Sequence, residues 1–161
     1  MKTMKPFKKP ILVTKPIHPN KKSILSTFSE IIDSGWFTNM GSYHNQFEKQ
    51  LLETLNIKNI SVFNNGAIAL ITALKALELP KESEVITTPF TFAATPHAIA
   101  WNNLKPVFAD IEENTMTLSP KAIEQAITKH TSAILGVHVY GFPCHVKAIE
   151  SIAKKHNLRV I

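Results

Sequence analysis

From Ile60 onward, short apolar runs alternate with segments of helical length, and this rhythm restricts the chain to few architectures. The runs at 60–63, 84–88, 106–110 and 133–139 read as strands, and a last one begins at Leu158-Arg159-Val160-Ile161. Helices are expected near 67–78, near 92–101, after Ser119-Pro120 and near 145–156. Ser119 suits an N-cap and Pro120 the first helical position. Val146, Ile149, Ile152 and Ala153 fall on one face of the last helix. Such alternation predicts an α/β fold: a three-layer α/β/α sandwich around a mostly parallel sheet. A chain that stops at Ile161, inside an apparent strand, is expected to be the N-terminal part of a longer domain.

Upstream the pattern is helical. Ile24, Leu25, Phe28, Ile31 and Ile32 recur at helical spacing up to Gly35, and Tyr43, Phe47, Leu51, Leu52 and Leu55 form a second stripe. Trp36–Ser42 reads as the loop between them. Residues 1–22, with Pro6, Pro10, Pro16 and Pro19, are expected to form a basic extended arm, and 23–161 to begin the folded domain.

The formal charge of +6 is misleading as a guide to partners. Lys2, Lys5, Lys8, Lys9, Lys15, Lys21 and Lys22 all precede the first acid, Glu30, and the rest of the chain is near neutral. The basic residues form a local arm without interleaved aromatics, so nucleic acid is not the expected partner. No run approaches the ~20 apolar residues of a membrane span, and the arm lacks the apolar core and cleavage site of a signal peptide. Cys144 is the only cysteine, which suits a cytoplasmic location. His138 and His145 have no third ligand at metal spacing, so no metal is expected.

Three segments carry candidate chemistry. In Ile60–Leu70 an apolar run meets Asn64-Asn65-Gly66 and then a helix, a geometry that gathers free N–H groups and the positive helix end at one spot. Asn and Gly would tolerate a left-handed turn there, although an ordinary strand–helix connection has the same sequence. Thr87-Thr88-Pro89-Phe90-Thr91-Phe92 sits at a strand's carboxyl end, where open α/β sheets bind ligands. Its aromatics suit either ring stacking or core packing. Val137-His138-Val139-Tyr140-Gly141-Phe142-Pro143 occupies the same end of a later strand. The chain has no G-x-G-x-x-G, P-loop or G-x-S-x-G pattern, which disfavours dinucleotide, P-loop nucleotide and α/β-hydrolase chemistry.

Taken in order, these segments resemble the sugar aminotransferases of the DegT/DnrJ/EryC1/StrS family. The resemblance runs from about Ser34 to Ile161. It includes Ser34-Gly35-Trp36-Phe37-Thr38-Asn39-Met40-Gly41, Asn64-Asn65-Gly66-Ala67-Ile68-Ala69-Leu70, Thr91-Phe92-Ala93-Ala94-Thr95, Pro106–Ile111 and Val137–Pro143. It implies the large domain of a fold-type-I enzyme that uses pyridoxal 5′-phosphate (PLP), homodimeric in full-length form. The implied reaction moves an amino group, with glutamate the expected donor, to a keto-deoxysugar on a nucleotide, with dTDP the expected carrier.

By the same resemblance, Asn65, Gly66 and Ala67 hold the cofactor phosphate through backbone N–H groups. Phe92 stacks on the pyridine ring, His138 lines the pocket, and Trp36, Thr38 and Asn39 lie toward the substrate. The family usually has Thr at the position of Ala67, so a hydroxyl donor is lost while the main-chain donor stays. The acid that pairs with the ring nitrogen and the cofactor-bearing lysine fall beyond Ile161, and Lys75 and Lys105 match neither. The 161 residues alone are therefore expected to be inactive. A PLP-dependent sugar dehydratase, or a non-catalytic fragment or partner subunit, is the competing expectation.

Overall fold

The computed structural model describes residues 9, 12 and 14–161. These fall into two compact units, the first ending at Ser61 and the second beginning at Val62. Most of the expected arm, residues 1–8, 10, 11 and 13, lies outside the described residues. Residues 14–20 carry no helix or strand, and the first helix starts at Lys21.

The first unit contains α1 (Lys21–Ser34) and α2 (Ser42–Leu55). The side chain of Asn20 caps α1 by accepting from the Lys22 amide, and Gly35 ends it at φ 66. That left-handed C-cap is the conformation glycine adopts without strain. Asn56 ends α2 the same way at φ 51. Both expected apolar stripes are helical.

The second unit holds α3 (Gly66–Ala76), β1 (Glu84–Thr87), α4 (Ala94–Trp101), β2 (Lys105–Phe108), α5 (Pro120–Ala126), β3 (Thr131–Ile134), α6 (Val146–His156) and β4 (Arg159–Val160). Among the described residues the four strands pair in parallel, in the order β2-β1-β3-β4, and one isolated antiparallel bridge joins Ile111 to Leu118. Side chains alternate faces along each strand, and the core divides accordingly. Val85, Ala133 and Leu135 pack with Leu74 of α3 and Ala98 and Ile99 of α4. Ile86 and Ile134 pack with Ile123 of α5 and Ile149, Ile152 and Ala153 of α6. Two apolar cores, one on each face of the sheet, make the three-layer α/β/α sandwich expected from the alternation. Ser119 caps α5 by accepting from the Ala122 amide, with Pro120 in the first turn.

Three local expectations need correction. Residues 60–63 form no strand. A parallel strand exists only as a ladder partner, and the four-stranded order includes no partner for that run. β3 ends at Ile134 rather than near 139; residues 135–138 carry no regular element, and a short 3₁₀ turn follows at Val139–Gly141. Finally, the Asn64-Asn65-Gly66 turn needs no left-handed residue: Asn65 is extended at φ −159, and Gly66 is not among the positive-φ glycines.

The strand order fixes where a ligand belongs. From β1 the chain moves outward to β2, then returns across β1 to β3 and continues to β4 on the other side. The direction of winding therefore reverses between β1 and β3. In open α/β sheets this reversal leaves a crevice outside the strands' carboxyl ends, where ligands bind.

Candidate functional site

A cavity of about 580 Å³ opens at that reversal point, lined by Pro89, Phe90, Thr91, Phe92 and Thr95 after β1 and by Val137, His138, Val139 and Tyr140 after β3. Phe92 and His138, separated by 46 positions in sequence, thus share one cavity. The loop after β1 is built from hydroxyls. Thr87 Oγ1 donates to the Leu135 carbonyl at 3.0 Å, joining the carboxyl ends of β1 and β3. Thr88 Oγ1 accepts from the Phe90 amide at 3.0 Å, and Thr91 and Thr95 hydroxyls pair at 2.8 Å. These bonds hold the loop so that Phe92 projects outward, 80% exposed. Among the described residues no core cluster includes that ring. Phe90, 39% exposed, meets Tyr140 edge-on, with ring centroids 6.3 Å apart.

The second element is the start of α3. The Asn65 side chain accepts from the Ile68 amide at 2.9 Å, and the Asn65 carbonyl accepts from the Ala69 amide. The Gly66 and Ala67 amides, in the first turn, have no acceptor among the described residues. A Cβ built on Gly66 would meet nothing within 4 Å, so the backbone is open to close approach. α3 precedes β1 in a parallel sheet, and its C-terminus leads back to the strand's amino end. Its N-terminus therefore belongs to the carboxyl end of the sheet. Asn65, Gly66 and Ala67 are nevertheless not among the residues lining the Phe92–His138 cavity. The unit offers an exposed ring, an N–H cradle suited to an anion and a cavity, a donor set that fits a flat ring bearing a phosphate.

His138 is exposed, and its Nδ1 accepts from the Cys144 amide at 3.2 Å. His145 instead pairs through Nε2 with Glu112 at 2.8 Å, so the two histidines do different things. Cys144 is 7% exposed, and burial pushes its thiol above the ordinary value of 9.0. That keeps it a neutral packing group rather than a nucleophile.

Trp36 and Thr38 line a separate cavity of about 610 Å³ within the first unit, with Phe37, Met40, Tyr43 and His44 also bordering it. Asn39 does not line it but accepts from Trp36 Nε1 through its carbonyl at 2.9 Å, which pins the indole. Thr87, Thr88 and Tyr140 are structural partners of the site that residue-type reasoning left without roles. A run of hydroxyls at a strand's end was the available signal for the first two. Among the described residues no helix is long and apolar enough to cross a membrane.

The chain is 48% identical over 153 residues to dTDP-4-amino-4,6-dideoxy-D-glucose transaminase of Escherichia coli, an alignment covering 95% of this chain and 41% of that protein. The chain thus spans about two-fifths of the length of the curated relatives it matches. Its fold superposes on DesI, solved with its TDP-sugar product, with a TM-score of 0.82 at 33% identity, covering 96% of this chain and 39% of DesI. It also superposes on NtdA of Bacillus subtilis, solved with bound pyridoxamine 5′-phosphate (PMP), with a TM-score of 0.82 at 32% identity, covering 96% of this chain and 37% of NtdA. The family model matches residues 19–161, nearly the whole of the described chain, and the chain belongs to the DegT/DnrJ/EryC1/StrS aminotransferase family.

Proposed function

We propose that the whole protein of which these residues form part is a PLP-dependent aminotransferase acting on a nucleotide-linked keto-deoxysugar. Glutamate is the proposed amino donor, and a dTDP-linked 4-keto-6-deoxy sugar the proposed acceptor. The observation that carries the reading is the meeting of Phe92 and His138 on one cavity at the reversal point of the sheet. The similarity to a dTDP-4-amino-4,6-dideoxy-D-glucose transaminase supports the choice of sugar carrier.

The geometry and the family resemblance together support the following roles. The Gly66 and Ala67 amides, at the positive end of α3, receive the cofactor phosphate. Phe92, held outward by the threonine loop, covers one face of the pyridine ring. His138 borders the ring's edge. Trp36, Thr38 and Asn39 are proposed to face the sugar nucleotide. When bound, the cofactor supplies an electron sink that lets an amino group move between carbon skeletons. The residues described here bind and orient it. The family resemblance implies that a lysine and an acid activate it. The full-length form is proposed to act as a cytoplasmic homodimer.

The test is amino transfer by the whole protein from glutamate to a dTDP-linked 4-keto-6-deoxy sugar, followed by mass spectrometry of the sugar nucleotide. The aminated sugar with release of 2-oxoglutarate is expected. Loss of water from the sugar without amination would instead establish the dehydratase, and no conversion of any keto-sugar would leave the non-catalytic reading.

A further inference from the structure

His138 is followed by an unusual turn. Tyr140 is left-handed at φ 51, ψ 25, a conformation bulky residues rarely adopt, and Gly141 follows at φ 85. The Gly141 amide donates to the His138 carbonyl at 3.1 Å and the Phe142 amide to the Val139 carbonyl at 3.0 Å. These bonds fold the chain back, so that the Cys144 amide reaches His138 Nδ1 at 3.2 Å. Cys144 is anchored in turn by burial in the core beneath the sheet.

The contact decides which ring nitrogen carries the proton. An amide N–H needs a lone pair, so Nδ1 is unprotonated and the single proton of the neutral imidazole sits on Nε2. Nε2 has no partner among the described residues, and the ring borders the cavity. The other side-chain donors there are few. Thr91 and Thr95 hydroxyls bond each other, no Lys or Arg lines the space, and the remaining hydroxyl bordering it belongs to Tyr140, 90% exposed.

The geometry points to His138 as a positioned Nε2–H donor to an anionic oxygen on the ring that stacks on Phe92, with the Tyr140–Gly141 turn as the device that sets its tautomer. This rests on the cofactor reading above and extends it. The phosphate is placed at α3, so the acceptor left for His138 is the phenolate oxygen of the pyridine ring. Phe92 reads the ring's face and His138 its edge substituent, so ring identity is sensed by two groups from two strands.

The experiment compares PMP with its 3-deoxy analogue, which lacks only that oxygen, by calorimetric titration of the full chain. The unsubstituted chain should prefer PMP about tenfold, the scale of one hydrogen bond to a charged acceptor. His138→Gln, which keeps an N–H near the Nε2 position, should retain most of the preference. His138→Phe should lose it while binding the analogue unchanged, a pattern that a purely structural role would not produce. Long-range 15N–1H correlation of the unliganded chain, which needs no variant to fold, should show His138 protonated at Nε2 alone. Equal binding of the two probes by the unsubstituted chain, an undiminished preference in His138→Phe, or a proton on Nδ1 would overturn the assignment. Failure of the unsubstituted chain to bind either probe would overturn the cofactor reading together with it.

Discussion

Thr87 Oγ1 donates a hydrogen bond to the Leu135 carbonyl at 3.0 Å, and both residues are buried. This one bond ties together the two strands between which the sheet reverses direction. It lies directly below the loops that carry Phe92 and His138, so it couples the core to the mouth of the cavity.

Removing that hydroxyl at constant shape tests the coupling. Thr87→Val leaves the Leu135 carbonyl without its buried donor and should destabilise the fold by roughly 1–3 kcal/mol. Urea unfolding reads the loss, and Thr87→Ser should restore most of it. A neutral effect of Val would mean that the strands are held in register by the ladder alone.

Asn65 should separate stability from affinity. Its side chain caps α3 through the Ile68 amide at 2.9 Å, so Asn65→Ala should cost about 1 kcal/mol. Asn65→Asp keeps the cap, and its charge suits the helix end. Stability should therefore be kept while PMP affinity falls, because the new carboxylate would repel a phosphate at the same amides. Equal PMP affinity in the two proteins would move the phosphate away from α3.

Phe92 should show the opposite pattern. With 80% of its surface exposed, Phe92→Ala should leave the urea midpoint within error. PMP binding should weaken by about 1 kcal/mol, the scale of one aromatic pair. A destabilised fold with unchanged affinity would assign the ring to packing instead.

Gly136 and Cys144 form a steric pair. A Cβ on Gly136 would lie 3.0 Å from Cys144 Sγ, in a layer also touched by Ile149. Gly136→Ala should destabilise by about 1–3 kcal/mol through overpacking. In a Cys144→Ala background the same change should cost clearly less, and a double-mutant cycle by chemical unfolding measures the coupling. Additive costs would place the strain in the backbone.

Much of this was legible from residue order, for identifiable reasons. α5 was readable because Ser119 and Pro120 signal a helix start locally, and α1 because Gly35 signals its end. The sandwich followed from alternation, since the two cores only need successive residues such as Val85 and Ile86 to face opposite ways. What stayed hidden depended on partners distant in sequence. Residues 60–63 have a strand's composition but no ladder neighbour, and composition cannot supply one. The order β2-β1-β3-β4 is a pairing property, so the crevice joining Phe92 to His138 was visible only as two separate strand ends. The tether from the Cys144 amide to His138 requires the left-handed Tyr140, which no residue-type preference would suggest.

The most direct measurement is a PMP titration of the 15N-labelled chain followed by amide and aromatic NMR. The account predicts saturable one-to-one binding, with the largest shifts at the Gly66 and Ala67 amides and at the ring of Phe92. Absence of saturation, or saturation with shifts confined to residues outside α3's first turn and the β1–β3 crevice, would contradict it.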